Sequence, residues 1–349
     1  MERKKILVTG ATGFIGTYIV DKLFKDGEEV LAIGRSAEGE IFFRNMRIPF
    51  MRVDITKEED FNKLPKDIDG VIHCAGLLSI DMYKPQEYIM TNVLGTLNLL
   101  EYCRKANVKK VVFAMTHSNV NRSKEITISE ETPEEFSGQT IPYIISKITA
   151  MKLIETYHRE YGIQGVSLRL PGVRGYGSRF ISFWAGKPEI SVFQKFVLKA
   201  IKGEPIDIWG EHKTFRDLVY VKDVVSGFIQ ALNSPNAKGL YNLGSGEGLT
   251  IDQEAKIIVK VFSPINNPSK IVYRPDIEEV LRKSFIFSIE KAKRDFGYAP
   301  KYTYETAMRD YREEMISGRF KHLIVKQEKI LMQRFGMTVD DLLKSVGNA

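Results

Sequence analysis

Two cysteines in 349 residues, Cys74 and Cys103, are too few for a disulfide-stapled scaffold. They fall in an apolar strand and an amphipathic helix, so reduced thiols in a cytoplasmic protein are expected. The five histidines (His73, His117, His158, His212 and His322) never stand at metal-ligand spacing, and no metal is expected. No apolar run approaches the roughly 18 residues of a membrane span, so no membrane partner is expected. Met1–Lys5 runs straight into a strand without an apolar leader, which predicts no signal peptide. Zinc-finger, RNP and helix-turn-helix patterns are missing, and nucleic acid is not an expected partner. Net charge is +7, but basic and acidic residues are interspersed. That pattern is a solvated surface which could also attract a phosphorylated small molecule.

What is present is a rhythm. Lys5-Ile6-Leu7-Val8 is an apolar strand, Ile15, Ile19 and Leu23 recur at helical spacing, and Gly27 stops that helix. Further strands are predicted at 29–33, 51–54, 70–75 and 111–114, with a long helix over 88–105. Near-continuous apolar strands between amphipathic helices predict an α/β fold with a doubly wound parallel sheet. After Leu170 the rhythm breaks at Pro171, Gly172, Gly175 and Gly177, and Val219-Tyr220-Val221 and Leu240–Leu243 read as strands returning to the first domain. The expected organisation is a dinucleotide domain of 1–168 and 211–243 and a smaller mixed α/β substrate domain of 169–210 and 244–318. A helical extension over 319–349 follows, with a T-x-x-D cap at Thr338–Asp341 before Leu342 and Leu343.

Gly10, Gly13 and Gly16 follow the first strand and open the first helix. The glycines let backbone N–H groups approach a pyrophosphate, and the helix N-terminus adds its positive end. The second strand ends in Ile33-Gly34-Arg35-Ser36, without the acid that would bind a ribose 2′-hydroxyl. A guanidinium beside a hydroxyl suits a 2′-phosphate, so NADP(H) is expected over NAD(H), with NAD(H) the alternative. Asp54, ending the third strand, is placed for the adenine amine.

Tyr143 and Lys147 stand four apart, and in a helix they share a face. An ammonium beside a phenol favours phenolate, and such a tyrosine can take and return a hydroxyl proton. Tyr18 and Lys22 have the same spacing, but lie behind the glycine turn. Tyr143 follows Pro142 at a helix start, after the fifth strand, where sheets of this kind carry their active sites. Thr116, leaving the fifth strand, is the expected third catalytic group, with Ser118 close behind it. His117 reads as a neighbour. Asn92 on the long helix is expected to hold the active-site helix backbone or a water.

Thr9–Gly16, Asp54-Ile55, His73–Gly76, Asn92–Thr96 and Tyr143–Lys147 together resemble the extended short-chain dehydrogenase/reductases, whose dinucleotide domain is a Rossmann fold. Ile208–Val224, Tyr241–Gly246, Arg274-Pro275-Asp276 and Lys291–Tyr298 are similar to segments of nucleotide-sugar epimerases and dehydratases, UDP-glucose 4-epimerase among them. The resemblance implies cofactor contacts from Gly10, Thr12, Gly13, Phe14, Ile15, Gly16, Arg35, Ser36, Asp54, Ile55, Ala75, Gly76, Asn92, Tyr143, Lys147 and Pro171. For a nucleotide-diphosphate sugar it implies Thr116, Gly172, Arg216 and Arg274, the two arginines bracketing the diphosphate. It also implies a homodimer paired through two long helices per subunit.

Two departures matter. His117-Ser118 follows Thr116 where dehydratases of this family carry an Asp-Glu pair, so loss of a 6-hydroxyl is not expected. Gly172 replaces an asparagine and makes Pro171-Gly172 more like reductases. The expected activity is 4-epimerisation of a nucleotide-diphosphate sugar through a transient 4-keto intermediate. The alternatives are NADP(H)-dependent reduction or oxidation of a ketone or alcohol, and a non-catalytic dinucleotide sensor.

Overall fold

The structure, a computed structural model, describes residues 3–78, 83–120, 123–134, 142–184, 187–210, 212–275, 283–339 and 341–342. Glu211, Asp276 and Leu343 of the segments above lie outside these. The chain divides into two compact units. The first comprises 1–171, 221–244 and 287–300, and the second 172–220, 245–286 and 301–349.

The first unit is built on a seven-stranded parallel sheet. Its order is Gly239–Asn242, Gln164–Leu170, Lys110–Thr116, Gly70–His73, Lys5–Thr9, Glu29–Gly34, Phe50–Arg52. Register runs Leu7↔Leu31 on one side of the first strand and Leu7↔Val71 on the other. The chain order therefore reverses beside Lys5–Thr9, and a crevice opens past the carboxyl ends of the strands there. The helices Gly95–Lys105 and Pro142–Tyr161 cover one face, sealing Leu99, Leu100, Cys103, Met151 and Ile154 against Leu7, Val71, Val111 and Phe113. Phe14–Lys25 and Val221–Asn233 pack on the sheet as well, Leu232 closing over Gly70. Strands buried on both faces explain the uninterrupted apolar runs. Both thiols are free, and burial pushes Cys74 up to about 12.

Two local expectations change. The predicted single helix over 88–105 is three pieces: a turn at Pro85–Tyr88, a widened π-type turn at Ile89–Leu94, and the helix Gly95–Lys105. Such a widening leaves no mark on apolar periodicity. The strand expected at 219–221 is Phe215–Tyr220, and it belongs to the second unit. There it pairs with Gly172–Arg174 and, antiparallel, with Gly248–Thr250. The buried Asp217 carboxylate holds it, accepting from the Ser245 and Gly246 N–H groups and the Ser245 hydroxyl.

The second unit adds the parallel pair Ile206–Trp209 and Ile271–Arg274 and the helices Val192–Lys202, Ile251–Phe262, Tyr304–Ser317 and Lys321–Phe335. The last helix is tied down by Gln327, whose amide oxygen accepts from the Phe180 N–H at 2.7 Å. The Thr338–Asp341 cap forms, with the Thr338 N–H on Asp341 and the Asp341 N–H on Thr338 Oγ1.

Candidate active site

The glycine turn is a backbone cradle. Gly10 has φ 64°, and a Cβ there would stand 2.5 Å from the Ala75 nitrogen. A Cβ on Gly16 would stand 2.3 Å from the Gly10 carbonyl oxygen. The Gly13 N–H closes the turn onto that same oxygen at 2.9 Å, and the helix Phe14–Lys25 begins at once. Gly13 brings no capping side chain, so this helix start presents backbone N–H groups and the positive end of its dipole. Thr12 is buried against Gly34 and Gly39, which anchors the loop to the second strand. Phe14 stacks edge-on with Tyr18, and Ile15 is half-buried beside it. These features fit a dinucleotide pyrophosphate.

Around the adenosine end, Arg35 Nη1 lies 3.5 Å from Asp54 Oδ2. Ser36 caps the helix Ala37–Asn45 and donates to Glu38 at 2.7 Å. Burial alone would raise the Asp54 carboxyl, but hydrogen bonds from Thr56 and the Arg35 charge outweigh it and hold it below the usual range. Ile55 is buried against Gly95, and its carbonyl accepts from Asn98.

Tyr143, Ser146 and Lys147 lie on the buried face of Pro142–Tyr161. The Lys147 nitrogen sits 3.9 Å above the Phe113 ring and 3.9 Å from where a Gly76 Cβ would stand. Burial brings its ammonium down to about 7, slightly opposed by Cys74. The Tyr143 ring packs edge-on against Tyr88, centroids 5.9 Å apart. Asn92 links the parts. Its Oδ1 accepts from the Leu77 N–H at 2.7 Å, and its Nδ2 donates to Ser146 Oγ at 2.9 Å. Ser146 Oγ donates in turn to the Tyr143 carbonyl at 2.7 Å.

Thr116 and Ser118 face each other in a tight turn past the fifth strand. Thr116 Oγ1 accepts from the Ser118 N–H at 3.1 Å and donates to Ser118 Oγ at 3.0 Å. His117 turns away, its Nδ1 3.0 Å from the Leu170 carbonyl oxygen. Pro171 is buried and ends the first unit.

Gly172, Arg216 and Arg274 all lie in the second unit. Gly172 pairs with Leu218, and a Cβ there would press on Leu218 Cδ2 at 2.7 Å. Arg216 sits opposite Leu249, and Arg274 Nε meets Asp207 Oδ1 at 3.2 Å. Sequence reasoning missed a buried ion pair here. Arg174 Nε and Nη2 both donate to Glu254 Oε1, at 3.0 and 2.8 Å, and Tyr304 donates to that oxygen at 2.7 Å. Arg174 and Glu254 lie in a short strand and a helix that the broken rhythm after Leu170 did not mark, so no local signal pointed to them. Among the described residues, no cluster of histidine, cysteine or carboxylate side chains could hold a metal ion. No helix among them is long and apolar enough to cross a membrane.

A parallel sheet reversing beside a glycine cradle, with a Tyr-x-x-x-Lys helix past its fifth strand, defines an NAD(P)-dependent enzyme of the extended short-chain dehydrogenase/reductase class. The chain belongs to the NAD dependent epimerase/dehydratase family, whose model matches residues 6–244. It is similar to the solved UDP-glucose 4-epimerase of Thermotoga maritima with UDP-glucose: 28% identity, TM-score 0.75, 90% of this chain and 99% of that one. The Thermus thermophilus UDP-glucose 4-epimerase in complex with NAD gives 27% identity and a TM-score of 0.71, covering 91% of this chain and 98% of its own. UDP-glucuronate 4-epimerase of Thermodesulfobacterium geofontis is 28% identical over 318 residues, 87% of this chain and 93% of its length.

Proposed function

We propose that this enzyme is a nucleotide-sugar 4-epimerase. The observation that carries the reading is Tyr143 and Lys147 on one buried helix face, with Lys147 packed on Phe113 and beside Gly76. Tyr143 takes the proton of the sugar 4-hydroxyl as that carbon becomes a ketone, and returns it once the ketone has presented its other face. The glycine cradle would hold the dinucleotide pyrophosphate and Lys147 its ribose, and the bound dinucleotide would supply a reversible electron sink at that carbon. Lys147 steadies the developing phenolate by its charge. Thr116 and Ser118, whose hydroxyl oxygens lie 3.0 Å apart, are the pair that positions the substrate oxygen by hydrogen bonding, Thr116 first among them. Arg216 and Arg274 hold the substrate diphosphate as bidentate donors. The three relatives above all carry 4-epimerase names, which supports this reaction over net reduction.

For the cofactor we propose NADP(H) over NAD(H), on the strength of Arg35 beside Ser36. Comparable affinities in a titration of the two forms would defeat this. A homodimer is proposed through the helix faces that leave Ile89, Met90 and Ile145 exposed, since Leu100, Met151 and Ile154 are core. A cytoplasmic location is proposed from the two thiols.

Incubation with a panel of sugar nucleotides tests the reading. Interconversion of 4-epimers without net change in nicotinamide absorbance is expected, whereas stoichiometric consumption of NADPH would establish the reductase instead. Tyr143→Phe should lower turnover by roughly 10²–10⁴-fold while leaving dinucleotide binding intact.

A further inference from the structure

His73 ends the strand Gly70–His73, is fully buried, and has no part in the chemistry above. Both ring nitrogens are nevertheless engaged: Nδ1 lies 2.7 Å from Thr9 Oγ1, and Nε2 lies 2.9 Å from Thr96 Oγ1. Thr96 Oγ1 also lies 2.6 Å from the Asn92 carbonyl oxygen, to which only its hydroxyl can donate. With that proton committed, Thr96 can only accept from the ring, so Nε2 carries the hydrogen. Nδ1 of the neutral ring is then an acceptor, and Thr9 donates to it. Thr9 Oγ1 in turn accepts from the Ala75 N–H at 3.2 Å. One proton arrangement satisfies every link. Burial, reinforced by the nearby Lys147 ammonium, holds the imidazole down to about 3, so the ring stays neutral. Phe113 stacks on it, centroids 5.4 Å apart.

The chain of bonds has two informative ends. One is Thr9 and Ala75, flanking Gly10 of the glycine cradle. The other is Asn92, inside the widened turn, where the regular backbone ladder is interrupted. From Asn92 the bonds continue through Ser146 to the Tyr143 carbonyl.

We propose that His73 is a positioning residue of the reaction centre: through Thr96 it fixes the widened turn at Asn92, and so sets the catalytic helix relative to the glycine cradle. The proposal deepens the reading of Tyr143 as proton carrier. It differs from a merely well-packed core histidine because the direction of each bond matters, not only the space filled.

Thr96→Val keeps the shape of the side chain and removes the link. Turnover of the nucleotide sugar is expected to fall about tenfold, the worth of one good hydrogen bond, with KM unchanged. Thr96→Ser should restore it. His73→Gln, which keeps an amide donor, should retain more activity than His73→Phe. A readout independent of any substrate accompanies these: backbone hydrogen exchange over 89–97 and 143–147 should quicken in Thr96→Val and recover in Thr96→Ser. Should the sugar-nucleotide reading itself fail, the exchange measurement still decides. Exchange in Thr96→Val that matches the wild type in both segments overturns the proposal, as does wild-type turnover in that variant.

Discussion

Asn92 and Ser146 stand 54 residues apart in sequence and 2.9 Å apart in space, amide nitrogen to hydroxyl oxygen. That contact ties the widened turn to the helix of Tyr143 and Lys147, beside the packing of Tyr88 on Tyr143. The same amide grips the Leu77 backbone at both its N–H and its carbonyl. Asn92 therefore joins the loop after the fourth strand to the helix that bears Tyr143 and Lys147.

Asn92→Ala removes these bonds together. Each buried hydrogen bond is worth about 1 kcal/mol net, and stranded partners cost more. Turnover should fall by roughly tenfold to a hundredfold, with a modest loss of thermal stability and a weaker grip on the dinucleotide. Steady-state kinetics, melting curves and a dinucleotide titration on the same preparation check this.

Lys147 sets function against stability. Burial brings its ammonium down to about 7, far below the usual 10.5. Between those values the unfolded chain binds more protons than the folded one, so this group makes stability rise with pH. Below about pH 7 the folded protein carries the full cost of a buried charge. Lys147→Met should therefore abolish turnover and yet raise the melting temperature of the cofactor-free protein at pH 6. The gain should shrink as pH climbs towards 10. A variant that melts lower than the wild type at pH 6 would show that the ammonium is not buried as described.

The parallel sheet was legible because its strands are buried on both faces, which forces runs such as Ile6–Val8 and Val111–Phe113. The Tyr143–Lys147 pair was legible because helical spacing alone puts both on one face. Asn92 was marked as a support for the active-site helix, but the widened turn around it was not, since a π-type turn changes backbone bonding without changing which side chains are apolar. Thr96 was hidden for a related reason: a hydroxyl on a buried helix face reads as filler until its partners are placed. The pairing of Phe215–Tyr220 with Gly172–Arg174 depends on contacts between segments about 45 residues apart, and no local pattern encodes such a partner.

Arg174 and Glu254 make a second prediction of sign. Burial pushes the Glu254 carboxyl up, but Arg174, Arg216 and Tyr304 outweigh it, and its net position is below the usual carboxylate range. A carboxyl depressed in the folded state contributes stability above its unfolded value, and that contribution is lost as pH falls through the folded value. Glu254→Gln leaves the half-buried Arg174 without its counter-charge, a loss of at most about 3–5 kcal/mol, the figure for a fully buried pair. The stability gap between wild type and variant should be widest near neutral pH and should close below about pH 4. Denaturant unfolding across that range measures it. A gap independent of pH would mean that Glu254 is not ionised in the fold.

The glycine turn separates a backbone requirement from a conformational preference. A methyl on Gly16 would meet the Gly10 carbonyl oxygen at 2.3 Å, and a carbonyl cannot swing aside as a side-chain tip can. The turn must open to admit it, which moves the N–H groups proposed to meet the pyrophosphate. Gly162 is the control: its φ of 70° also disfavours alanine, but nothing lies within 4 Å of its missing Cβ. Gly162→Ala should cost about 1 kcal/mol of stability from its left-handed backbone, and leave dinucleotide affinity as it was. Gly16→Ala should weaken dinucleotide binding by at least about tenfold, the equivalent of one displaced charge-assisted bond to phosphate. Calorimetric titration of both variants distinguishes the cases. Equal affinities would mean that the cradle does not carry the pyrophosphate.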